Sequence, residues 1–76
     1  MKKKKPVLTI ELTFRHNLTR LREDRGLSKS ELARRSGVHR IHLGDIESGE
    51  KDPTLTVIAK LADGLGVEAA TLFAAV

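Results

Sequence analysis

The sequence predicts an all-α fold, and three observations support this prediction. Leucine, isoleucine, valine and alanine supply most of the apolar residues, and the 76 residues include only two phenylalanines and no tryptophan or tyrosine. From residue 13 onward, apolar residues recur at intervals of three and four, which is the period of an amphipathic helix. Glycines follow these periodic segments, as they commonly follow helices. A chain of this length without cysteine is expected to form one small domain that depends on its apolar core.

The first twelve residues differ from the rest of the chain. Lys2 to Lys5 carry four like charges, and Pro6 follows them, so this segment is not expected to form a helix. Val7 to Leu12 alternates apolar and polar residues, which is compatible with a short strand or with an extended lead-in. We therefore predict a basic, flexible arm over residues 1–12, with a possible short strand, and one domain over residues 13–76.

Two helices are predicted in the first half of the domain. Thr13 is a suitable N-cap for the first, whose apolar stripe is Phe14, Leu18 and Leu21 and which ends at Gly26. The second opens with Ser28-x-x-Glu31, the spacing of a capping box, in which each side chain bonds the other residue's backbone N–H. Gly37 ends this second helix.

Three further helices are predicted in the second half. The third runs from about His39 or Arg40 to Ser48, with Leu43 and Ile46 facing inward. The fourth follows the N-cap Thr54, and its apolar stripe consists of Leu55, Ile58, Leu61, Ala62 and Leu65. A short fifth helix is predicted from Glu68 to Phe73.

Charge is distributed unevenly along the chain. Residues 1–42 contain 12 lysine and arginine residues against 4 acidic ones, whereas residues 43–76 contain 2 against 6. The basic half suits a polyanion such as nucleic acid, although a solvated surface of uneven charge fits the counts equally well. No apolar run approaches the length of a membrane span, and the N-terminus makes a poor signal peptide. We therefore expect a cytoplasmic, nucleoid-associated protein that does not contact a membrane.

The segment from Leu27 to Gly49 has the pattern of a helix-turn-helix, which is suited to inserting one helix into a DNA groove. Such a unit needs a small residue where its helices cross, and Ala33 is in that position. It needs a glycine at the turn, which is Gly37. It also needs apolar anchors on both helices, and these are Leu32, Val38, Leu43 and Ile46.

On these residues the sequence resembles the Cro/repressor-type helix-turn-helix family, the Xre-like regulators of phages and bacteria. The resemblance extends from about Phe14 to Phe73 and includes LREDRGLSKSELARRSGV, IESGEKDPTL and the closing LADGLGV and LF. The form HRxHLGDIESG looks most like small stand-alone regulators such as restriction–modification controller proteins. The resemblance implies a compact five-helix, repressor-like domain with its helix-turn-helix at helices 2 and 3. It also implies a homodimer that binds a palindromic operator in double-stranded DNA.

The same resemblance assigns candidate roles to individual residues. Helix 3 enters the major groove, and its base-contacting positions are Arg40, Ile41 and Asp45. An ion pair joins Arg22 to Glu47. The end of the chain, with Phe73 and Val76, forms the dimer interface. The expected phosphate contacts are Ser28, Lys29, Arg34, His39, His42 and Lys51.

Two features depart from the family pattern. Position 29 commonly carries glutamine in the family, whereas this chain has Lys29 and contains no glutamine. Lysine keeps a hydrogen-bond donor and adds a charge, so we expect a stronger salt dependence of DNA binding. Glu50 and Asp52 flank Lys51, which weakens the case for a phosphate contact there.

Other functions fit the sequence less well. His39, His42 and Asp45 have helical spacing, but three ligands without a fourth or a cysteine make an incomplete zinc site, so no metal is expected. An antitoxin-like interaction module with secondary DNA binding is the main alternative. It usually needs a partner-binding segment, and only residues 1–12 are available for one. No catalytic constellation is recognisable, so we expect neither an enzyme nor a cofactor nor a small-molecule ligand.

Overall fold

The computed structural model describes residues 9–75, which form four α-helices and one 3₁₀ helix, with no strand in that range. The helices are α1 (Ile10–Asp24), α2 (Lys29–Ser36), α3 (Arg40–Ser48) and α4 (Leu55–Leu65), and the 3₁₀ helix spans Ala69–Phe73. The all-α prediction is therefore confirmed, and the short fifth helix predicted from Glu68 to Phe73 is a 3₁₀ helix rather than a fifth α-helix. Within the described range, no helix is both long and apolar enough to cross a membrane.

The first helix begins earlier than the sequence pattern indicated. Thr9, and not Thr13, is the N-cap of α1, and its Oγ1 accepts a hydrogen bond from the backbone N–H of Leu12 at 3.2 Å. Residues 10–12 are therefore helical, and neither the possible short strand nor an extended lead-in is correct for them, while Val7 and Leu8 lie outside the described residues. Adding one turn to an existing helix requires no new nucleation, whereas a lone strand leaves its backbone groups unpaired. The division of the chain at residue 12 stays a prediction.

One core joins all five elements. The predicted helix-turn-helix anchors Leu32, Val38, Leu43 and Ile46 are all buried. Leu55, predicted to face inward, is instead 86% exposed. It is the first residue of α4 and therefore projects beyond the part of that helix that packs on the core. The buried apolar residues are Phe14, Leu18, Leu21, Leu27, Leu32, Val38, Leu43, Ile46, Leu61, Ala62, Leu65 and Leu72.

The contact between α2 and α4 is unusually close. A Cβ atom built on Gly64 would lie 2.9 Å from the Cβ of Ser36 and 3.0 Å from its Cα. The Ser36 hydroxyl also accepts a hydrogen bond from the backbone N–H of Val38 at 3.1 Å, across the turn that leads to α3. Gly64 therefore allows α4 to support the end of α2 and the start of the turn.

The buried side-chain amide of Asn17 in α1 is hydrogen-bonded to the end of the 3₁₀ helix. Asn17 is only 1% exposed, and its Nδ2 donates hydrogen bonds to the backbone carbonyls of Leu72 and Ala74 at 3.0 and 2.9 Å. The rings of Phe14 and Phe73 pack nearby, with their centroids 5.3 Å apart. These contacts hold the end of the described chain against α1.

Candidate nucleic-acid interface

The start of α2 is fixed by the predicted capping box. The Ser28 Oγ accepts a hydrogen bond from the backbone N–H of Glu31 at 3.0 Å, and the Glu31 Oε1 accepts one from the backbone N–H of Ser28 at 2.9 Å. The Ser28 backbone N–H, and to a smaller extent its hydroxyl, lower the pKa of Glu31 below its ordinary value. Lys29, the first residue of α2, is exposed beside this cap.

The turn between α2 and α3 depends on one left-handed residue. Gly37 has a φ of +78°, a conformation that glycine adopts without the steric penalty of a side chain. The next residue, Val38, is buried and anchors the turn in the core. The sequence pattern predicted both roles. The turn therefore places the start of α3 close to the end of α2.

His39 is the N-cap of α3, a role that the sequence analysis did not assign to it. Its Nδ1 accepts a hydrogen bond from the backbone N–H of Ile41 at 3.1 Å. An acceptor at this position satisfies one of the N–H groups that the first turn of a helix leaves unpaired. Because Nδ1 is engaged as an acceptor, the neutral ring carries its proton on Nε2, which remains available as a donor.

The two faces of α3 differ sharply in burial. Leu43 and Ile46 are fully buried, while Arg40 is exposed and Ile41 leaves 61% of its surface accessible. Asp45 is half-buried. An exposed isoleucine beside an exposed arginine on a short helix offers both an apolar contact and a bidentate donor, the two kinds of group that read base edges.

An ion pair between Arg22 and Glu47 connects α1 to α3. Arg22 Nε lies 2.8 Å from Glu47 Oε2 and Arg22 Nη2 lies 3.0 Å from Glu47 Oε1, so the contact is bidentate. Arg22 Nη1 also donates to the backbone carbonyl of Leu27 at 2.9 Å. The hydrogen bonds with Glu47 raise the pKa of Arg22 above its ordinary value, although burial acts in the opposite direction. The residues assigned to an ion pair by the resemblance thus lie in direct contact.

The candidate phosphate-contacting residues fall into separate groups. Arg34, His39 and Arg40 line a shallow depression between α2 and α3. Ser28 and Lys29 lie at the other end of α2. His42 is half-buried on α3, and Lys51 is exposed after α3, where its backbone N–H donates to the carbonyl of Asp45 at 3.2 Å. The depression therefore brings together two of the six phosphate-contacting candidates, Arg34 and His39, beside the base-contacting candidate Arg40.

Arg15 is a residue that the sequence analysis missed. A Cβ atom on Gly49 would lie 3.1 Å from the Arg15 Cζ, so the guanidinium lies directly over the backbone at the end of α3. Gly49 has a φ of +90° and is the C-cap of α3. A positive charge near a helix C-terminus is favourable. Arg15 and Arg22 thus both connect α1 to the last turn of α3.

An apolar groove lies beside Phe73, one of the two residues assigned to the dimer interface. Phe73 is half-buried against Phe14, and Val76 lies outside the described residues. Ile10 and Leu55 are 64% and 86% exposed at this groove. Sequence reasoning missed both, because it placed Ile10 in the N-terminal arm, and because helical periodicity does not show that the first turn of α4, with Leu55, extends beyond the core. The groove is lined by Ile10, Phe14, Pro53, Leu55, Ile58 and Phe73, with Glu11, Arg15 and Asp52 as its charged residues.

The chain is similar in sequence to a known family of helix-turn-helix proteins. A model of the HTH_3 helix-turn-helix family matches residues 18–72. The chain belongs to this family. The matched range includes α2, the turn and α3, together with most of α1 and all of α4.

Similar proteins include both curated sequences and solved structures. The chain is 39% identical over 51 residues to the uncharacterized HTH-type transcriptional regulator y4dJ of Sinorhizobium fredii, covering 67% of this chain and 66% of that protein. It is 44% identical over 54 residues to the HTH-type transcriptional regulator SutR of Escherichia coli, covering 71% of this chain and 30% of SutR. The fold resembles the restriction-modification controller protein C.AhdI of Aeromonas hydrophila, with a TM-score of 0.79 and 38% identity over 83% of this chain and 96% of C.AhdI.

Proposed function

We propose that this protein is a sequence-specific DNA-binding transcriptional regulator in which α2 and α3 form the helix-turn-helix and α3 enters the major groove. The observation that carries the proposal is the exposed pair Arg40 and Ile41 on a helix whose opposite face is fully buried. A helix anchored in this way can present a fixed set of side chains to base edges. Membership of the helix-turn-helix family and the similarity to transcriptional regulators support the proposal.

The proposed base contacts follow from the chemistry of the three side chains. The guanidinium of Arg40 has the donor geometry to bind guanine O6 and N7 together. Ile41 can pack on the C5-methyl group of thymine, and Asp45 can accept a hydrogen bond from the amino group of cytosine. A good bidentate contact contributes roughly 1–3 kcal/mol of discrimination against the wrong base, so Arg40 is expected to dominate specificity.

The proposed phosphate contacts come from α2, from α3 and from the segment that follows α3. Lys29 stands at the N-terminus of α2, where the helix dipole also favours an anion. Arg34 and His39 lie at the depression next to the start of α3. Ser28, His42 and Lys51 complete the proposed set. Contacts of this kind position the protein on DNA without reading its sequence, and the charged ones make binding depend on salt.

The proposed assembly is a homodimer on a palindromic operator, and the apolar groove is its proposed interface. Ile10 and Leu55 expose large apolar side chains there, next to Phe73. Glu11 and Asp52 lie at the same groove as Arg15, so opposite charges are available to pair across a two-fold axis. A second copy of the chain supplies the same apolar surface and both charge signs, and two-fold symmetry of this kind matches a palindrome.

A selection experiment tests this function. The purified protein is incubated with random double-stranded DNA at about 150 mM salt, a regime in which non-specific binding is weak, and bound fragments are sequenced. Enrichment of one palindromic site, lost in Arg40→Ala, supports the proposal. Lys60→Ala removes a positive charge from an exposed position of α4 and is the matched control that should keep the site. If no sequence is enriched by the unmodified protein, the proposed function is wrong.

A further inference from the structure

Two glycines lie inside helices in ordinary helical conformation, Gly44 in α3 and Gly64 in α4. Neither has the positive φ that explains Gly26, Gly37, Gly49 and Gly66. Glycine within a helix is unfavourable relative to alanine, because it loses more backbone freedom on folding. Neither the backbone conformation nor helix propensity therefore explains why glycine is present at these two positions.

The packing of the chain accounts for Gly64 but not for Gly44. At Gly64 a Cβ atom would overlap Ser36. At Gly44, among the residues that the structure describes, a Cβ atom would have no heavy atom within 4 Å apart from its chain neighbours and the backbone of its own helix. Alanine would therefore fit the isolated protein at position 44 and would suit the helix better.

The location of Gly44 on α3 indicates which ligand could use the space that a side chain would occupy. Gly44 follows Arg40 by four residues and Ile41 by three, so it shares a helix face with both. It also lies four residues before the exposed Ser48, on the side of α3 that faces away from the buried Leu43 and Ile46. This is the face that the proposed function directs into the major groove.

We propose that Gly44 determines specificity by letting a base edge approach the backbone of α3. The proposal rests on the proposed function and deepens it by naming a residue that sets how closely α3 enters the groove. The Cα of Gly44 and the exposed side chain of Ile41 together form an apolar surface, which suits the C5-methyl group of a thymine. An added Cβ occupies this space, moves α3 outward and lengthens the contacts of Arg40 with its base.

The decisive variant is Gly44→Ala, because its two expected effects have opposite signs. In the free protein, the folding equilibrium constant rises about five-fold, as expected for glycine to alanine within a helix. Affinity for the selected operator falls ten-fold or more. The slope of log K against log salt stays unchanged, because no phosphate contact has been removed. Replacing thymine by deoxyuracil at the contacted position removes the methyl group. This replacement should lower the affinity of the unmodified protein by a larger factor than it lowers the affinity of the Gly44→Ala protein.

A control separates the gain in stability from the loss of binding. Thr56→Ala also replaces an exposed residue by a better helix former, but on α4. It should stabilise the protein without changing affinity. If Gly44→Ala is more stable and binds the operator as tightly as the unmodified protein, the role of Gly44 is refuted while the proposed function stands. If the unmodified protein selects no site, both proposals fail together.

Discussion

Arg22 and Glu47 form a bidentate ion pair between α1 and α3, with only 11% and 6% of their side chains exposed. The pair lies within one turn of the end of α3. Because Arg22 also donates to the carbonyl of Leu27, a single guanidinium joins the first helix, the loop before α2 and the last turn of α3. This contact is well placed to fix the angle at which α3 stands on the core.

Removing one member of this pair should be strongly destabilising. Glu47→Ala leaves the largely buried Arg22 charge with only the exposed carboxylate of Glu23, 4.0 Å from Nη2, as a neighbouring anion. The expected cost is about 3 kcal/mol in the free energy of unfolding, the lower end of the range for breaking a buried pair. The double variant Arg22→Met with Glu47→Leu replaces both charges by apolar groups and should recover much of that loss. Chemical denaturation of the three proteins measures both effects. A double variant no more stable than Glu47→Ala would contradict this account.

Glu31 should make the stability of the protein depend on pH in the acidic range. Its pKa in the folded protein is lowered by the hydrogen bonds from Ser28. The capping box therefore contributes its full stabilisation above the ordinary glutamate pKa of about 4.5 and loses it as the pH falls through the lower folded value. Glu31→Gln keeps a side chain that can cap but does not titrate. Unfolding measured from pH 6 to pH 3 should show a smaller loss of stability in this variant, and parallel curves for the two proteins would argue against the prediction.

His39 should stabilise α3 through its ring nitrogen. His39→Ala removes the acceptor for the Ile41 N–H and should cost about 1 kcal/mol in the free energy of unfolding, the typical value for loss of an N-cap. His39→Asn supplies another capping acceptor and should retain the stability. Nitrogen chemical shifts of the neutral imidazole provide an independent check, with Nε2 protonated and Nδ1 not. Protonation at Nδ1 in the free protein would rule out the cap.

Gly64→Ala should destabilise the protein although alanine is the better helix former. The gain in helix propensity is about 1 kcal/mol, but the new Cβ would overlap the Cβ and backbone of Ser36. Overpacking of this kind typically costs about 1–3 kcal/mol. The three nearest atoms are the Cβ, Cα and N of Ser36, and no rotation of the serine side chain moves any of them away. Thermal denaturation should give a lower midpoint for Gly64→Ala than for the unmodified chain. A higher midpoint would mean that α2 moves away from α4 at little cost.

The sequence predicted the fold well where local patterns determine it. The capping box at Ser28, the left-handed turn at Gly37 and the buried anchor Val38 all depend on near neighbours in the chain, so they were accessible to sequence reasoning. The start of α1 was placed too late, because alternation over Val7 to Leu12 resembles a strand when tertiary contacts are unknown. Leu55 was placed in the core for a similar reason. Periodicity shows which face of a helix is apolar, but it does not show which residues of that face extend beyond the core.

The candidate site was less predictable because it depends on distances between elements. Arg22 and Glu47 are separated by 25 residues, and family resemblance rather than spacing paired them. Nothing in the sequence pattern placed the Arg15 guanidinium over Gly49 or turned the His39 ring back onto its own helix. The roles of Arg40, Ile41 and Asp45 remain predictions, because a binding role depends on a partner as well as on the fold.

The proposed dimer interface can be tested at a residue that the monomer does not need. Leu55 is 86% exposed, so Leu55→Asp should leave the folded domain intact while placing a charge in the apolar groove. We expect sedimentation equilibrium to show a dimer for the unmodified protein and a monomer for this variant, with little change in helical circular dichroism.

Phe73→Asp should also weaken the dimer, but it removes the contact with Phe14 and so tests folding as well. Thr56→Asp, on the neighbouring exposed position of α4, is the matched control and should remain dimeric. A Leu55→Asp protein that is still dimeric would place the interface elsewhere on the surface.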